Sequence, residues 1–167
     1  MIVSEDKWGI VDNYVNKHLI LCKTMFIGEY SYTIDHKRRL SIPSKFRVSL
    51  GKDAVVTKQL EKCLVLYSMK GWQKYTEKLE KLPGTQINAR KFSRIILSGA
   101  SEVNFDKLGR ILIPDYLREY ADLKKNVIII GLSDKIEIWD EVEWKKYRTK
   151  TEKELGDVAS KLEELEI

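Results

Sequence analysis

Two short segments pair an aspartate with an arginine four residues later, each just ahead of an isoleucine and a proline. The first runs from Asp35 to Pro43, and the second runs from Asp106 to Pro114. Arginine presents a planar fork of N–H donors that matches the O6 and N7 acceptors of guanine, and one bidentate contact contributes about 1–3 kcal/mol of discrimination. Arg39 and Arg110 are therefore the leading candidates for reading base edges.

A salt bridge within each hairpin is an equally weighted alternative, in which Arg39 pairs with Asp35 and Arg110 pairs with Asp106. Surface pairs of this kind are common and contribute little to stability. The two interpretations are compatible, because the aspartate can hold the arginine in the orientation that a base contact requires.

Further basic residues lie close to both motifs, and more of them surround the first. As phosphate contacts they would position the protein on a duplex without reading its sequence. The alternative is a solvated basic face, which is the more frequent origin of a charge cluster, but concentration beside the motifs favours phosphate contacts. The candidates are Lys37, Arg38, Lys45 and Arg47 near the first motif, and Lys107 and Arg118 near the second.

The two motifs belong to a longer internal repeat. An offset of 71 residues places Asp35 over Asp106 and Arg47 over Arg118, and an offset of 72 then places Trp72 over Trp144. Coincidence at many spaced positions indicates a tandem duplication. We therefore predict one β-rich module present twice, with 25–83 as the first repeat and 100–150 as the second.

Each copy is expected to contain the same elements. Each copy begins with a strand, the Asp-x-x-x-Arg turn and a second strand. A short helix follows, with proline at its first position, where the missing N–H group removes no hydrogen bond of the helix. Two strands and a longer helix close the copy. The predicted ranges are helices 44–50, 88–98 (within a connecting segment, 84–99) and 115–123, strands 54–58, 63–67, 127–131 and 135–139, and a capping box formed by Asp140 and Glu143.

Four short strands cannot bury both faces of a sheet alone, so the copies are expected to intertwine in one domain. Trp72, Tyr75, Trp144 and Tyr147 recur at helical spacing, which favours packing of the closing helices over base stacking. The segment 151–167 carries apolar residues at helical spacing and an acidic excess, which predicts an amphipathic tail helix kept off DNA by its charge.

The first 24 residues have no counterpart in the repeat. They are expected to be either a disordered extension or upstream DNA read in frame, with translation starting at Met25. Trp8-Gly9 forces the nucleotides TGGGG, and the codons of Ser4–Asp6 and Val11–Asp12 permit related G-rich sequences ten nucleotides to either side. That period is about one turn of the duplex, so the hypothesis is that this segment is a translated operator.

Composition bounds the other possibilities. Thirty basic against 25 acidic residues give a net charge of +5, which is weak support for a nucleic-acid partner. Cys22 and Cys63 form no CxxC pair, which argues against a zinc ribbon and a disulfide scaffold. No stretch resembles a signal peptide, a membrane span, a metal site or a catalytic motif. We therefore expect a protein that is not an enzyme and has no cofactor or metal.

Four stretches resemble the MraZ family of bacterial transcriptional regulators, which are relatives of the AbrB-type DNA-binding domains. They are Met25–Tyr30, Asp35–Pro43, Ser98–Ala100 and Asp106–Pro114, and the resemblance spans roughly 25–150. It implies a mostly β fold with helices (α+β), a duplicated double-ψ or swapped-hairpin β-barrel from two tandem half-modules. It also implies a closed, often octameric homo-oligomeric ring in the cytoplasm, associated with the nucleoid.

The resemblance further implies binding to double-stranded DNA at G-rich direct repeats upstream of the protein's own operon, a division and cell-wall gene cluster. The Asp-x-x-x-Arg segments are the DNA-contacting elements of that family, which adds Asp35 and Asp106 to the candidate DNA-binding residues. The alternative is an oligomeric protein-interaction or antidote-type module that has an AbrB-like fold and does not read DNA.

One position departs from the family pattern. Glycine usually precedes the motif arginine, as Gly109 does, but the first copy has Arg38 there. If the turn requires a positive φ, an arginine at this position is strained. Either the first turn is shaped differently or an added phosphate contact compensates, and we favour the phosphate contact.

Overall fold

The computed structural model describes the backbone of residues 25–163 and the side chains as far as residue 156. The predicted extension 1–24, with its translated-operator hypothesis, and the last four residues of the predicted tail lie outside the described residues.

The described part of the chain forms eight strands and five helices, which follow the repeat. The strands are β1 (Phe26–Thr33), β2 (Arg39–Ser41), β3 (Asp53–Lys58), β4 (Leu64–Ser68), β5 (Ser101–Asn104), β6 (Arg110–Leu112), β7 (Asn126–Ser133) and β8 (Lys135–Asp140). The helices are α1 (Ser44–Leu50), α2 (Met69–Glu80), α3 (Ile87–Ser98), α4 (Asp115–Tyr120) and α5 (Glu141–Glu163).

The two short helices begin at the predicted residues, Ser44 and Asp115, but each proline is the N-cap and not the first helical residue. Pro43 is the N-cap of α1, not its first residue, and its carbonyl accepts hydrogen bonds from the N–H groups of Phe46 and Arg47. Helix α1 has the predicted bounds. Helix α4 ends at Tyr120 and not at residue 123, because Asp122 takes a positive φ of 46°.

The closing helix and the predicted tail are one element, α5, whose backbone runs without a break to Glu163. Only half of the predicted capping box forms at its start. Asp140 Oδ1 accepts a hydrogen bond from the N–H of Val142. Glu143 does not reach back towards Asp140, because its carboxylate accepts a hydrogen bond from Lys146 Nζ.

The strands form a six-stranded antiparallel sheet, ordered β1-β7-β8-β4-β3-β5, and a two-stranded sheet of β2 and β6. Strands of one copy pair with strands of the other at β1–β7, β8–β4, β3–β5 and β2–β6, so the copies are intertwined as predicted. The larger sheet is open, with β1 and β5 at its edges, and the closed barrel implied by the resemblance is not established by this strand order.

A pseudo-twofold axis relates the two copies. In the small sheet Leu40 pairs with Ile111, which is its own counterpart at the offset of 71. The carbonyl of Gly109 accepts a hydrogen bond from the N–H of Ile42, and the carbonyl of Arg38 accepts one from the N–H of Ile113, both at 3.1 Å. Each hairpin therefore docks on the strand–helix junction of the other copy.

The main core lies between the small sheet and the inner face of the large one. Leu40 and Ile111 point into it from β2 and β6 and are fully buried, together with Leu64 and Ile138 of the central strands. Because side chains alternate across a strand, the neighbours of Leu40 and Ile111 must face outward.

The repeated aromatic residues pack on the other face of the large sheet. Trp72 and Tyr75 of α2 contact Tyr67 of β4, with ring centroids 5.3–5.9 Å apart. Trp144 and Tyr147 of α5 contact Trp139 in the same way. The prediction that these residues pack the closing helices is confirmed.

We predict that Gly109→Ala lowers the free energy of unfolding by about 1–3 kcal/mol. Gly109 has a φ of 73°, and an added Cβ would lie 1.8 Å from Nη1 of Arg47, so the backbone is strained and Arg47 must move. Urea unfolding measures the change. The matched control is Gly84→Ala, since nothing lies within 4 Å of a Cβ at Gly84. Equal stability of the two variants would contradict the packing of Arg47 on the second hairpin.

Candidate nucleic-acid interface

Each hairpin tip is organised by its aspartate. Asp35 Oδ1 accepts hydrogen bonds from the N–H groups of Lys37 and Arg39 at 2.8 and 2.9 Å. Asp35 Oδ2 accepts a hydrogen bond from Arg39 Nε at 2.8 Å and lies 2.7 Å from Nη2. A short acidic side chain that bonds its own following backbone is a strong turn former. The carboxylate therefore sets both the turn and the direction of the arginine.

The second tip repeats this arrangement atom for atom. Asp106 Oδ1 accepts hydrogen bonds from the N–H groups of Leu108 and Arg110 at 2.9 Å. Asp106 Oδ2 is bound by Nε and Nη2 of Arg110, both at 2.7 Å. The salt-bridge interpretation is confirmed for both motifs. It is compatible with base reading, because the carboxylate engages one edge of each guanidinium.

The structure brings the two motif arginines onto one face. Arg39 and Arg110 lie on neighbouring strands and flank the buried pair Leu40–Ile111, so both side chains point outward. Their side chains are 29% and 22% exposed. Arg110 Nη1 also lies 3.7 Å from Asp35 Oδ2, which joins the two tips into one charged network.

The pKa of Asp35 is lowered to about 2, chiefly by the side-chain hydrogen bond from Arg39 and then by backbone hydrogen bonds. The pKa of Asp106 is lowered by the equivalent bonds from Arg110. Both carboxylates are therefore charged at neutral pH, and each tip keeps its internal ion pair.

The other basic candidates lie in different places around the two tips. Lys37 and Lys107 are exposed at the tips. Lys45 is engaged away from the first tip: its Nζ donates to the carbonyl oxygen of Ile27 at 2.9 Å and lies 4.6 Å from the ring centroid of Tyr30. Ile27 lies roughly 20 Å along β1 from the first tip, given the rise of a strand.

Arg47 and Arg118 lie beside the tips of the opposite copies. The guanidinium of Arg47 covers Gly109, which is buried. Arg118 Nη2 lies 3.7 Å from Asp115 Oδ1. These two helical arginines are equivalent in the repeat, yet only the second has a carboxylate partner among the described residues.

Arg38 takes the same conformation as the glycine that it replaces. Its φ is 63° against 73° for Gly109, so the alternative of a differently shaped first turn is wrong. The favoured phosphate contact stays a prediction. The compensating contact seen in the structure is an ion pair with Asp115, 77 residues away. Sequence reasoning missed Asp115, although one signal was present: where the tip changes from glycine to arginine, the facing helix changes from Ser44 to Asp115.

Two apolar residues on this surface were also missed. Leu108 at the second tip is 68% exposed, and Leu112 on β6 is 57% exposed. Leu108 occupies the position that Lys37 has in the other copy. An apolar residue at an exposed hairpin tip is unusual, and this could have identified Leu108 from the sequence. Apolar side chains beside arginine can contact the methyl group of thymine.

No group of three or more histidine, cysteine or acidic side chains within 25–156 could hold a metal. Burial raises the pKa of the Cys63 thiol far above its usual range, which keeps it neutral. Cys22 lies outside the described residues. No described helix is long and apolar enough to cross a membrane.

We predict that Arg39→Gln raises the pKa of Asp35 from about 2 towards its ordinary value of 3.8, because the largest cause of the shift is removed. The pKa is depressed in the folded protein, so the stabilisation is present above 3.8 and is lost as pH falls through about 2. Carboxyl-carbon NMR titration measures the change, with Arg94→Gln on α3 as the control. A pKa that stays at about 2 in Arg39→Gln would show that the backbone bonds alone set it.

Comparison with known proteins supports both the internal repeat and the family resemblance. The model of the MraZ protein family, described as antitoxin-like, matches this chain twice, over residues 25–95 and 96–163. Proteins named "Transcriptional regulator MraZ" from Moorella thermoacetica, Halothermothrix orenii and Caldicellulosiruptor saccharolyticus are 46%, 48% and 48% identical over 143 residues. Those matches cover 86% of this chain and 100% of each relative. The duplication and the resemblance are both confirmed, and the chain belongs to the MraZ family.

Proposed function

We propose that this protein regulates transcription by binding DNA in a sequence-specific way through the outer face of the β2–β6 sheet. The observation that carries the proposal is the position of Arg39 and Arg110, both partly exposed and side by side on one face. The name of the relatives, transcriptional regulator, supports the same function.

A two-stranded ribbon has the size that this role requires. The major groove of B-DNA is about 12 Å wide and admits a two-stranded β-ribbon. In this small sheet Arg39 lies opposite Leu112 and Arg110 lies opposite Ser41, so the two arginines are diagonal neighbours on adjacent strands, about 7–8 Å apart. One ribbon can therefore present both guanidiniums to adjacent base pairs.

The other tip residues have separate roles in the proposal. Asp35 and Asp106 hold the arginines in position and make no base contact of their own. Lys37 and Lys107 bind phosphates, which positions the ribbon without reading sequence. Arg47 is a further phosphate candidate beside the tips, whereas Arg38 and Arg118 are paired with Asp115. Lys45 is the weakest candidate because its Nζ is engaged on β1.

Self-assembly supplies the affinity that one ribbon lacks. A module that makes few phosphate contacts binds DNA poorly at cellular salt. A closed homo-oligomeric ring, octameric as in the resemblance, would present several ribbons to one duplex and raise their effective concentration. The ring would bind G-rich direct repeats upstream of its own operon, in the cytoplasm at the nucleoid. Within each subunit the two tandem half-modules would form the AbrB-like barrel.

The first experiment removes both candidate readers. Arg39→Ala with Arg110→Ala is expected to abolish the preference for a duplex carrying TGGGG at ten-base-pair spacing over a scrambled duplex. Removing one bidentate arginine–guanine pair costs about 1–3 kcal/mol of discrimination. Gel shifts measure the preference, and light scattering should show an unchanged subunit number.

The matched control removes two exposed basic residues elsewhere, Lys78→Ala with Arg94→Ala, on the helices α2 and α3. This variant should keep the full preference. If the tip variant also keeps it, Arg39 and Arg110 are not the readers and the proposed interface is wrong.

A salt titration separates DNA recognition from the protein-interaction alternative. DNA binding releases counterions, so log K falls linearly with log salt by about 0.9 for each phosphate contact. We expect a steep fall for this protein. If the protein does not bind the duplex at any salt concentration, the protein-interaction alternative is favoured instead.

A further inference from the structure

The pseudo-twofold axis creates two equivalent junctions between a tip and a helix. The tip at Arg38 faces α4, and the tip at Gly109 faces α1, since each hairpin docks on the other copy. If the repeat were perfect, both junctions would carry the same charges. Arg38 and Asp115 in one junction correspond to Gly109 and Ser44 in the other. The hairpins and helices also differ in charge at further positions, among them Lys37, Lys45 and Val48 of the first copy, which correspond to Leu108, Tyr116 and Glu119 of the second.

The Gly109 junction contains one arginine without a counterion. Arg47 lies directly against the tip, and a Cβ on Gly109 would fall within 2.7 Å of its Cδ. The Nε atoms of Arg47 and Arg118 are both buried without a hydrogen-bond acceptor. Arg118 has an ion pair with Asp115, whereas Arg47 has no ion-pair partner within the described residues. Its positive charge is therefore unbalanced beside the proposed DNA-binding face.

The Arg38 junction contains an internal anion. The carboxylate of Asp115 lies between two guanidiniums: Oδ2 accepts a hydrogen bond from Arg38 Nη1, and Oδ1 lies 3.7 Å from Arg118 Nη2. The side chains of Arg38 and Asp115 are about half exposed, at 54% and 44%, so the pair lies at the surface of the tip. Two planar guanidiniums around one pair of oxygens is an arrangement that phosphate also accepts.

We propose that Asp115 is an internal substitute for a DNA phosphate. At the Gly109 junction Arg47 binds a phosphate of the duplex, whereas at the Arg38 junction Asp115 occupies the equivalent position and keeps Arg38 and Arg118 from binding one. This inference rests on the proposed function and deepens it, since it names which basic residues contact the phosphates of the DNA duplex.

Unequal junctions give each protomer a direction on DNA. A pseudo-twofold ribbon with identical halves would bind equally well in both orientations, which suits a palindrome. Asp115 removes a phosphate contact from one half only, so one orientation of the protomer on an asymmetric site is favoured. Direct repeats require this property, because every subunit must bind in the same orientation.

The test converts the Arg38 junction into the sequence of the other one. Full-length Asp115→Ser is expected to bind the TGGGG-repeat duplex about tenfold more tightly at the same salt, the equivalent of one new charge-assisted hydrogen bond. Its plot of log K against log salt should be steeper by about 0.9 per protomer in contact. Glu119→Ser is the matched control, since it removes the same charge from an exposed side chain on the same helix.

Arginine variants give a readout that a general change of charge would not produce. Arg47→Ala should flatten the salt dependence of the wild-type protein, and Arg118→Ala should leave it unchanged. In the Asp115→Ser background Arg118→Ala should flatten it, because the guanidinium is then free to bind phosphate. Arg38→Gly in the otherwise wild-type protein should have the wild-type slope of log K against log salt. This measurement tests the inference even if Asp115→Ser does not fold.

The outcomes separate this inference from the proposed function. Equal slopes for Asp115→Ser and Glu119→Ser, or equal effects of Arg47→Ala and Arg118→Ala in the wild-type background, would overturn the role of Asp115. A reduced slope for Arg38→Gly would overturn it as well, because Arg38 would then contact phosphate itself. If the wild-type protein does not bind the duplex at any salt concentration, the proposed function fails first.

Discussion

The bond between each motif aspartate and its own hairpin is the interaction on which the candidate interface depends. One carboxylate oxygen accepts two backbone N–H groups of the turn, and the other holds the arginine. The backbone bonds keep a four-residue tip in a single conformation that includes a residue with positive φ. The same carboxylate cancels part of the arginine's charge and restrains a flexible side chain, so less conformational entropy is lost when that side chain binds.

The second constraint is the antiparallel pairing of β2 with β6. Each strand has only three residues, which is too short to be stable alone, and each finds its partner in its own duplicate. Pairing of Leu40 with Ile111 at the axis buries both side chains. Since neighbours on a strand alternate in direction, this burial forces both motif arginines outward onto one surface.

Duplication also explains how the two halves could diverge. Arg38 stands where the other tip has Gly109, and the helix that faces it carries Asp115 where the other helix has Ser44, so the two differing residues form an ion pair. Positive φ at Arg38 is strained for a residue with a side chain, and the ion pair with Asp115 offsets part of that cost. Gly109 retains glycine because Arg47 fills the space above its Cα.

Local features of the fold could be predicted from the sequence because their causes are local. Pro43 and the residues after it specify α1, whose bounds are as predicted, and the Asp35–Arg39 bridge spans only four residues. The duplication was visible because both copies kept the same spacing. The end of α4 was predicted three residues too late, since the sequence did not show the positive φ of Asp122.

The tertiary structure alone decided which strands pair and which charges meet. The sheet order, the Arg38–Asp115 pair across 77 residues and the packing of Arg47 on Gly109 follow from the pseudo-twofold axis. An axis of this kind arises from how two copies bury their apolar faces together, and no short stretch of sequence encodes it. The sequence by itself therefore determined the tips and the arginines they carry, and the packing of the two copies determined that both arginines share one face and that the two junctions are unequal.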